Sequence, residues 1–143
     1  MRRFSILIFT ITILFLNRTQ AQDTLSIQKT LTDWNRAVMT KDLTMANAIF
    51  DTNAKVILIG SEEEEIHQGN LDIRNFIKDF FTKPITLSWN YGPMMIDQNN
   101  KTAWVFVNGT STEKQENGSM RSSPYRITTV SYTHLTLPTI YSV

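Results

Sequence analysis

Apolar side chains recur every three or four residues through the first half of this 143-residue chain and every second residue through much of the second. The two periods belong to helices and strands respectively, so the chain is committed to helices first and a sheet afterwards. Ile27, Leu31, Trp34 and Val38 form the first stripe, on a helix expected from Leu25 to Met39 with Asp23 or Thr24 as its cap. Asp42 caps a second helix through Phe50, with Leu43, Ala46, Ile49 and Phe50 on its buried side. Asn70 is the expected cap of a third, Leu71 to Phe81, which turns Ile73, Phe76, Ile77 and Phe80 inward before Pro84 prevents its continuation.

Amphipathic helices need an apolar surface to cover, and the second half supplies it. Ile85 to Tyr91, Thr102 to Ser111 and Arg121 to Val130 are rich in aromatic and β-branched residues, which suit a pleated, half-buried surface. Gln98-Asn99-Asn100 and Glu116-Asn117-Gly118-Ser119 are the expected turns, short enough for antiparallel hairpins. Gly92-Pro93 interrupts the first run and predicts a bulge where the sheet bends. The expected class is α+β, with three helices of the N-terminal half on one side of a curved antiparallel sheet.

A leader precedes this pattern. Met1-Arg2-Arg3 is basic, Phe4 to Leu16 is almost uninterruptedly apolar, and Thr19-Gln20-Ala21 is a small-residue cleavage signal, so residues 1–21 read as a secretory signal peptide cut after Ala21. A stable membrane anchor is disfavoured because the apolar run falls short of the roughly 20 residues that a spanning helix needs. Removing Arg2, Arg3 and Arg18 turns 14 basic and 13 acidic residues into 11 and 13, a formal charge of −2. That balance gives no electrostatic reason to expect nucleic acid or an anionic membrane as partner. The chain has no cysteine, so a periplasmic or secreted domain of this kind has to be held by one hydrophobic core without disulfides.

Asp33-Trp34-Asn35-Arg36-Ala37, Lys41-Asp42, Ile49-Phe50-Asp51, Val56-Ile57-Leu58-Ile59-Gly60 and Gly69 follow one another as helix, short helix, apolar strand, acidic loop and glycine turn. In that order they resemble the opening of nuclear transport factor two-like domains. This is the cone-shaped roll that includes SnoaL-like polyketide cyclases and isomerases of the ketosteroid type. The resemblance covers about residues 24–130. It implies a cavity between the helices and the concave face of the sheet, and homodimers formed through the outer face.

Candidate lining residues for such a cavity are Trp34, Trp89, Tyr91, Trp104 and Phe106, with Arg126 and His67 as polar members. Plain core packing is the competing account of each ring. Strand alternation groups Ile85, Leu87, Trp89 and Tyr91 on one face. In the next strand Trp104 and Phe106 oppose Ala103, Val105 and Val107, so both faces of that strand are expected to be buried. Arg126 has three readings open: a ligand contact, a pair with the acidic loop, or a solvent-facing strand position. Glu62 to Glu65 with His67 offer metal-ligating groups, but adjacent glutamates alternate in direction and no second histidine lies near, so no metal is assigned.

No cofactor and no catalytic set is assigned, since nothing in the spacing commits Asp33, Tyr91 or Tyr125 to a common site. Three classes stand: a binding module for a small apolar molecule, an acid/base isomerase, cyclase or hydrolase with a pocket carboxylate, or a dimerising association domain. The end of the chain breaks the pattern. After Val130 the resemblance implies one more long strand, basic and bearing tryptophan, but Ser131 to Val143 reads SYTHLTLPTIYSV. This resembles a translated sequencing adapter, so the final strand is expected to be missing and His134 and Tyr141 to carry no function. The alternative is a divergent strand from Ser131 to Leu137, stopped by Pro138.

Overall fold

A computed structural model describes residues 25–50, 52, 55–60, 65–99, 102–132 and 136–142, with side chains as far as residue 130. The leader, the expected caps Asp23 and Thr24, and Glu62 to Glu64 lie outside the described residues. Helix α1 spans residues 25–40 and buries Ile27, Leu31, Trp34, Ala37 and Val38, which is the stripe its periodicity predicts. Lys41, at a φ of 54°, turns the chain out of the helix. Helix α2, Leu43–Ile49, starts where Asp42 accepts a hydrogen bond from the Met45 N–H, which satisfies one of the free donors of the first turn. Helix α3, Asn70–Thr82, buries Ile73 and Ile77.

The N-cap of α3 differs from expectation. Gly69 occupies it, with φ at 84°, a left-handed conformation that glycine adopts without steric cost, so Asn70 is the first helical residue. The first turn is instead tied back by Asp72, whose carboxylate accepts the Gln68 N–H at 3.0 Å.

Six strands follow one sheet order, β2-β1-β6-β5-β4-β3. They are β1 (Ile57–Ile59), β2 (Ile66–Gln68), β3 (Ile85–Gln98), β4 (Thr102–Gln115), β5 (Met120–Tyr132) and β6 (Thr136–Ser142). Pairing is antiparallel except between β1 and β6, where Ile57 to Ile59 run parallel to Thr139 to Tyr141. The Glu116 to Ser119 turn lies where it is expected: Gln115 donates to the Ser119 carbonyl, and Gly118 takes the positive φ.

Gly92-Pro93 is a bulge within one continuous β3, not the end of a strand. Tyr91 faces Gly109 and Met94 faces Val107, so three steps on β3 match two on β4. The extra residue reverses the alternation. Leu87, Trp89 and Tyr91 lie inward before it, Met94 and Ile96 after it, and all five pack on the same core as the helices. A Cβ at Gly109 would run into the Asn90 carbonyl, so the two backbones approach as closely as they do only because that position is glycine.

The tail also departs from expectation. Residues 136–142 form an interior strand, so the last strand is present and it runs through Pro138. Val130 pairs with Thr139 and Tyr132 with Thr136, which places Leu137 and Pro138 opposite the single residue Ser131. Proline is tolerated there because a bulge does not require its missing N–H.

Candidate functional site: an aromatic cavity between the helices and the sheet

A cavity of about 150 Å³ lies between α1, α3 and the inner face of the sheet. Trp34 enters it from α1, and Phe76, Ile77 and Phe80 from α3. Leu58, Ile59, Gly60 and Glu65 line it from the β1–β2 hairpin, Leu87 and Trp89 from β3, and Tyr125 from β5. The rings hold one another in place. Trp34 stacks on Trp89 with centroids 6.2 Å apart, Tyr125 lies 5.6 Å from Trp89, and Phe50 meets Trp34 edge-on at 5.5 Å.

Trp89 is fixed through its backbone. It sits on β3, an edge strand, and the side-chain amide of Asn35 bonds both of its peptide groups: Nδ2 donates to the Trp89 carbonyl at 2.8 Å and Oδ1 accepts its N–H at 2.9 Å. A single amide on α1 thus stands in for a neighbouring strand and locks helix to sheet beside the cavity.

Tyr91 does not line the cavity. Its hydroxyl donates to the Leu31 carbonyl at 3.3 Å, and burial, with Tyr125 nearby, pushes its ionisation well above the usual tyrosine range. The unfolded chain ionises at Tyr91 near pH 10.0 whereas the folded chain does not, so this contribution to stability is intact below pH 10.0 and is lost as pH rises further. Urea titrations from pH 9 to 11.5 are expected to show Tyr91→Phe losing less stability than the parent above pH 10, the difference growing by at most about 1.4 kcal/mol per pH unit.

Three further candidates lie on the outer face of the sheet. Trp104 is 55% exposed and faces away from the helices, because Ala103, Val105 and Val107 take the inner positions of β4. That side of the strand is therefore open and not buried. Phe106 shares the outer face, and Arg126 lies over it with its guanidinium carbon 5.7 Å from the ring centre. The Arg126 Nε donates to Asn108 at 3.4 Å, so of the three readings open for Arg126 the structure takes the outward strand position. The alternation of β5 explains this, since Tyr125 and Ile127 point in and Arg126 and Thr128 point out.

His67 lies on β2 at the sheet edge, its ring stacked on Phe76 at 4.1 Å and its Nδ1 3.5 Å from the Asp72 carboxylate. It stands behind a wall residue and is not itself in the wall. Asp33 is turned to the surface of α1, paired with Lys29 and Arg36. Among the described lining residues Glu65 is the one carboxylate; the Gly60 N–H donates to its carbonyl at 2.7 Å, closing the hairpin.

Sequence reasoning passed over Tyr125 and Glu65 as wall residues, and Asn35 as the clamp. Tyr125 was within reach, through the alternation that hides Ile127. Glu65 was not, since nothing local separates it from the glutamates before it.

The SnoaL-like domain family matches residues 27–131. The chain belongs to that family. A search among curated proteins finds no match. Solved structures share the fold of this SnoaL-like domain. An NTF2-like family protein from Streptomyces avermitilis superposes with a TM-score of 0.73 at 10% identity, covering 85% of this chain and 96% of that one. An NTF2-like superfamily protein from Salmonella enterica gives 0.67 at 15% identity, over 85% and 92% of the two chains. A protein from Catenulispora acidiphila in complex with S-DNPA gives 0.66 at 12% identity, over 85% and 92%.

Proposed function

We propose that this SnoaL-like domain is an exported binding module for a small, largely apolar molecule. The observation that carries the reading is the cavity wall, in which Trp34, Trp89, Phe76, Phe80 and Tyr125 surround a space with one described carboxylate at its side. A volume of about 150 Å³ matches a single six-membered ring, since cavities of about that size bind benzene. The solved complex of the Catenulispora acidiphila protein with S-DNPA supports ligand binding on this fold. The test is native mass spectrometry of protein purified under mild conditions, with tryptophan fluorescence titrated against single-ring compounds. A retained small molecule or saturable quenching is the expected result. No retained mass and no saturable response to any ring compound overturns the reading. Export is tested in the same preparation, whose N-terminus is expected at Gln22.

Glu65 favours a second reading, in which the site moves a proton on a bound carbonyl compound. Exchange of the methyl protons of acetophenone in D2O, followed by NMR, is then faster with the protein than with Glu65→Gln. Equal rates end this reading.

The outer face of the sheet fits a second copy of the chain. Trp104 is 55% and Met95 63% exposed, beside Phe106, and an apolar group of this kind marks an interaction surface. Sedimentation velocity is expected to find a homodimer that Trp104→Glu converts to monomer, with the melting temperature of the isolated subunit retained. A monomeric parent protein refutes the dimer.

A further inference from the structure

The register of β3, β4 and β5 fixes which side chains share the outer face. Asp97 lies opposite Trp104, Met95 opposite Phe106, and Asn108 opposite Arg126. The described charged groups on the outer face of these three strands are Asp97, Arg126 and Lys114, and Lys114 lies at the far end of β4. Asp97 and Arg126 thus flank the apolar group of Trp104, Met95 and Phe106, one on each side. Both are exposed, and neither has an ion pair among the described residues. The Arg126 guanidinium gives its Nε to Asn108 and rests on Phe106, which leaves its terminal nitrogens without an acceptor among the described residues. A hollow of about 290 Å³ opens beside it, with Asn108, Gly109 and Pro124 in its wall.

The two charges cannot meet within one chain. The steps along β4 from Trp104 to Asn108, with two strand spacings across, put them about 16 Å apart. Between two copies they can meet. Copies packed face to face have their two-fold axis lying between the sheets, and every contact then occurs twice. For Asp97 of each chain to reach the partner's Arg126, the axis has to pass midway between the two positions. That midpoint is Phe106, one strand in from each and halfway from Trp104 to Asn108. We infer that the second copy docks about a two-fold axis over Phe106, with the Asp97 carboxylate of each chain on the partner's Arg126. The inference rests on the dimer reading above and fixes its register. Phe106 meets its own copy at the centre, Trp104 is covered, and the charge pairs stand at the rim, where they set orientation more than affinity.

Two substitutions and their mixture test it. Asp97→Arg sets cation over cation at both ends of its own dimer, and Arg126→Asp sets anion over anion. Each is expected to raise the dimer dissociation constant at least about tenfold in sedimentation velocity. Mixed in equal amounts, the two variants place opposite charges at both ends, so a dimer within about threefold of parent affinity is expected to return. The chain has no cysteine, which gives a second readout. Phe106→Cys, on the axis, is expected to crosslink into a covalent dimer on mild oxidation, and Thr110→Cys, off the axis on the same face, is not. Charge variants that dimerise as the parent does, a mixture that stays monomeric, or crosslinking at Thr110→Cys in place of Phe106→Cys overturns this register and leaves the dimer standing. A monomeric parent removes the dimer and its register together.

Discussion

Removing residues 133–143 is expected to abolish cooperative folding of the SnoaL-like domain. Strand β6 lies inside the sheet, antiparallel to β5 and parallel to β1. Without it the β1–β2 hairpin is left as two three-residue strands, and a lone two-stranded unit is marginal in water. The facing edges of β1 and β5 would lose their ladder partners beneath a layer of buried apolar side chains, the arrangement that invites pairing between chains. The truncated protein should aggregate on expression and show no sharp thermal transition, whereas the full chain melts cooperatively. A monomeric truncation that melts within a few degrees of the parent would show that β6 adds nothing to the core. The strand is drawn from beyond residue 131, where the match to the family ends. Its place in the sheet is secured by backbone hydrogen bonds, which any extended segment of suitable length can supply.

Trp34→Ala is expected to lower stability by about 3–5 kcal/mol, the cost of truncating a buried tryptophan in a rigid setting. Trp34 is 7% exposed and joins three elements: its own helix, Phe50 at the end of α2 and Trp89 on β3. The wall cannot collapse into the vacated space, because Asn35 holds β3 at its present distance from α1. A loss of this size is a large fraction of a typical domain stability of about 5–15 kcal/mol. Urea denaturation reads it as a lower midpoint at unchanged slope. A change below about 1 kcal/mol would mean that the ring is not packed as described.

Helix faces and strand faces were legible in the sequence because each depends on a local period. Ile27, Leu31 and Val38, or Ile73 and Ile77, can be hidden together only if the helix turns one stripe inward, and the spacing states which stripe. The bulge was legible for a similar reason, since Gly92-Pro93 cannot continue a regular ladder. The direction of an aromatic strand face was less so. Trp104 and Trp89 look alike along the chain, yet one is exposed and the other buried, because only the inner face of the sheet has helices over it.

The candidate site divides along the same line. Trp34 and Trp89 were both named from the sequence, and they meet although 54 residues separate the Asn35 clamp beside the first from the second. Arg126 and Phe106 were named with them, but alternation carries both to the other side of the sheet.

The sequence by itself determined three amphipathic helices, three long strands, their short turns and the likeness to SnoaL-like domains, because local spacing and turn chemistry act over a few residues. Only the tertiary structure decided which rings enclose the cavity and that residues 136–142 lie between β1 and β5. Those outcomes depend on pairing register and on which face the helices cover, and both are set by contacts between residues far apart in the chain.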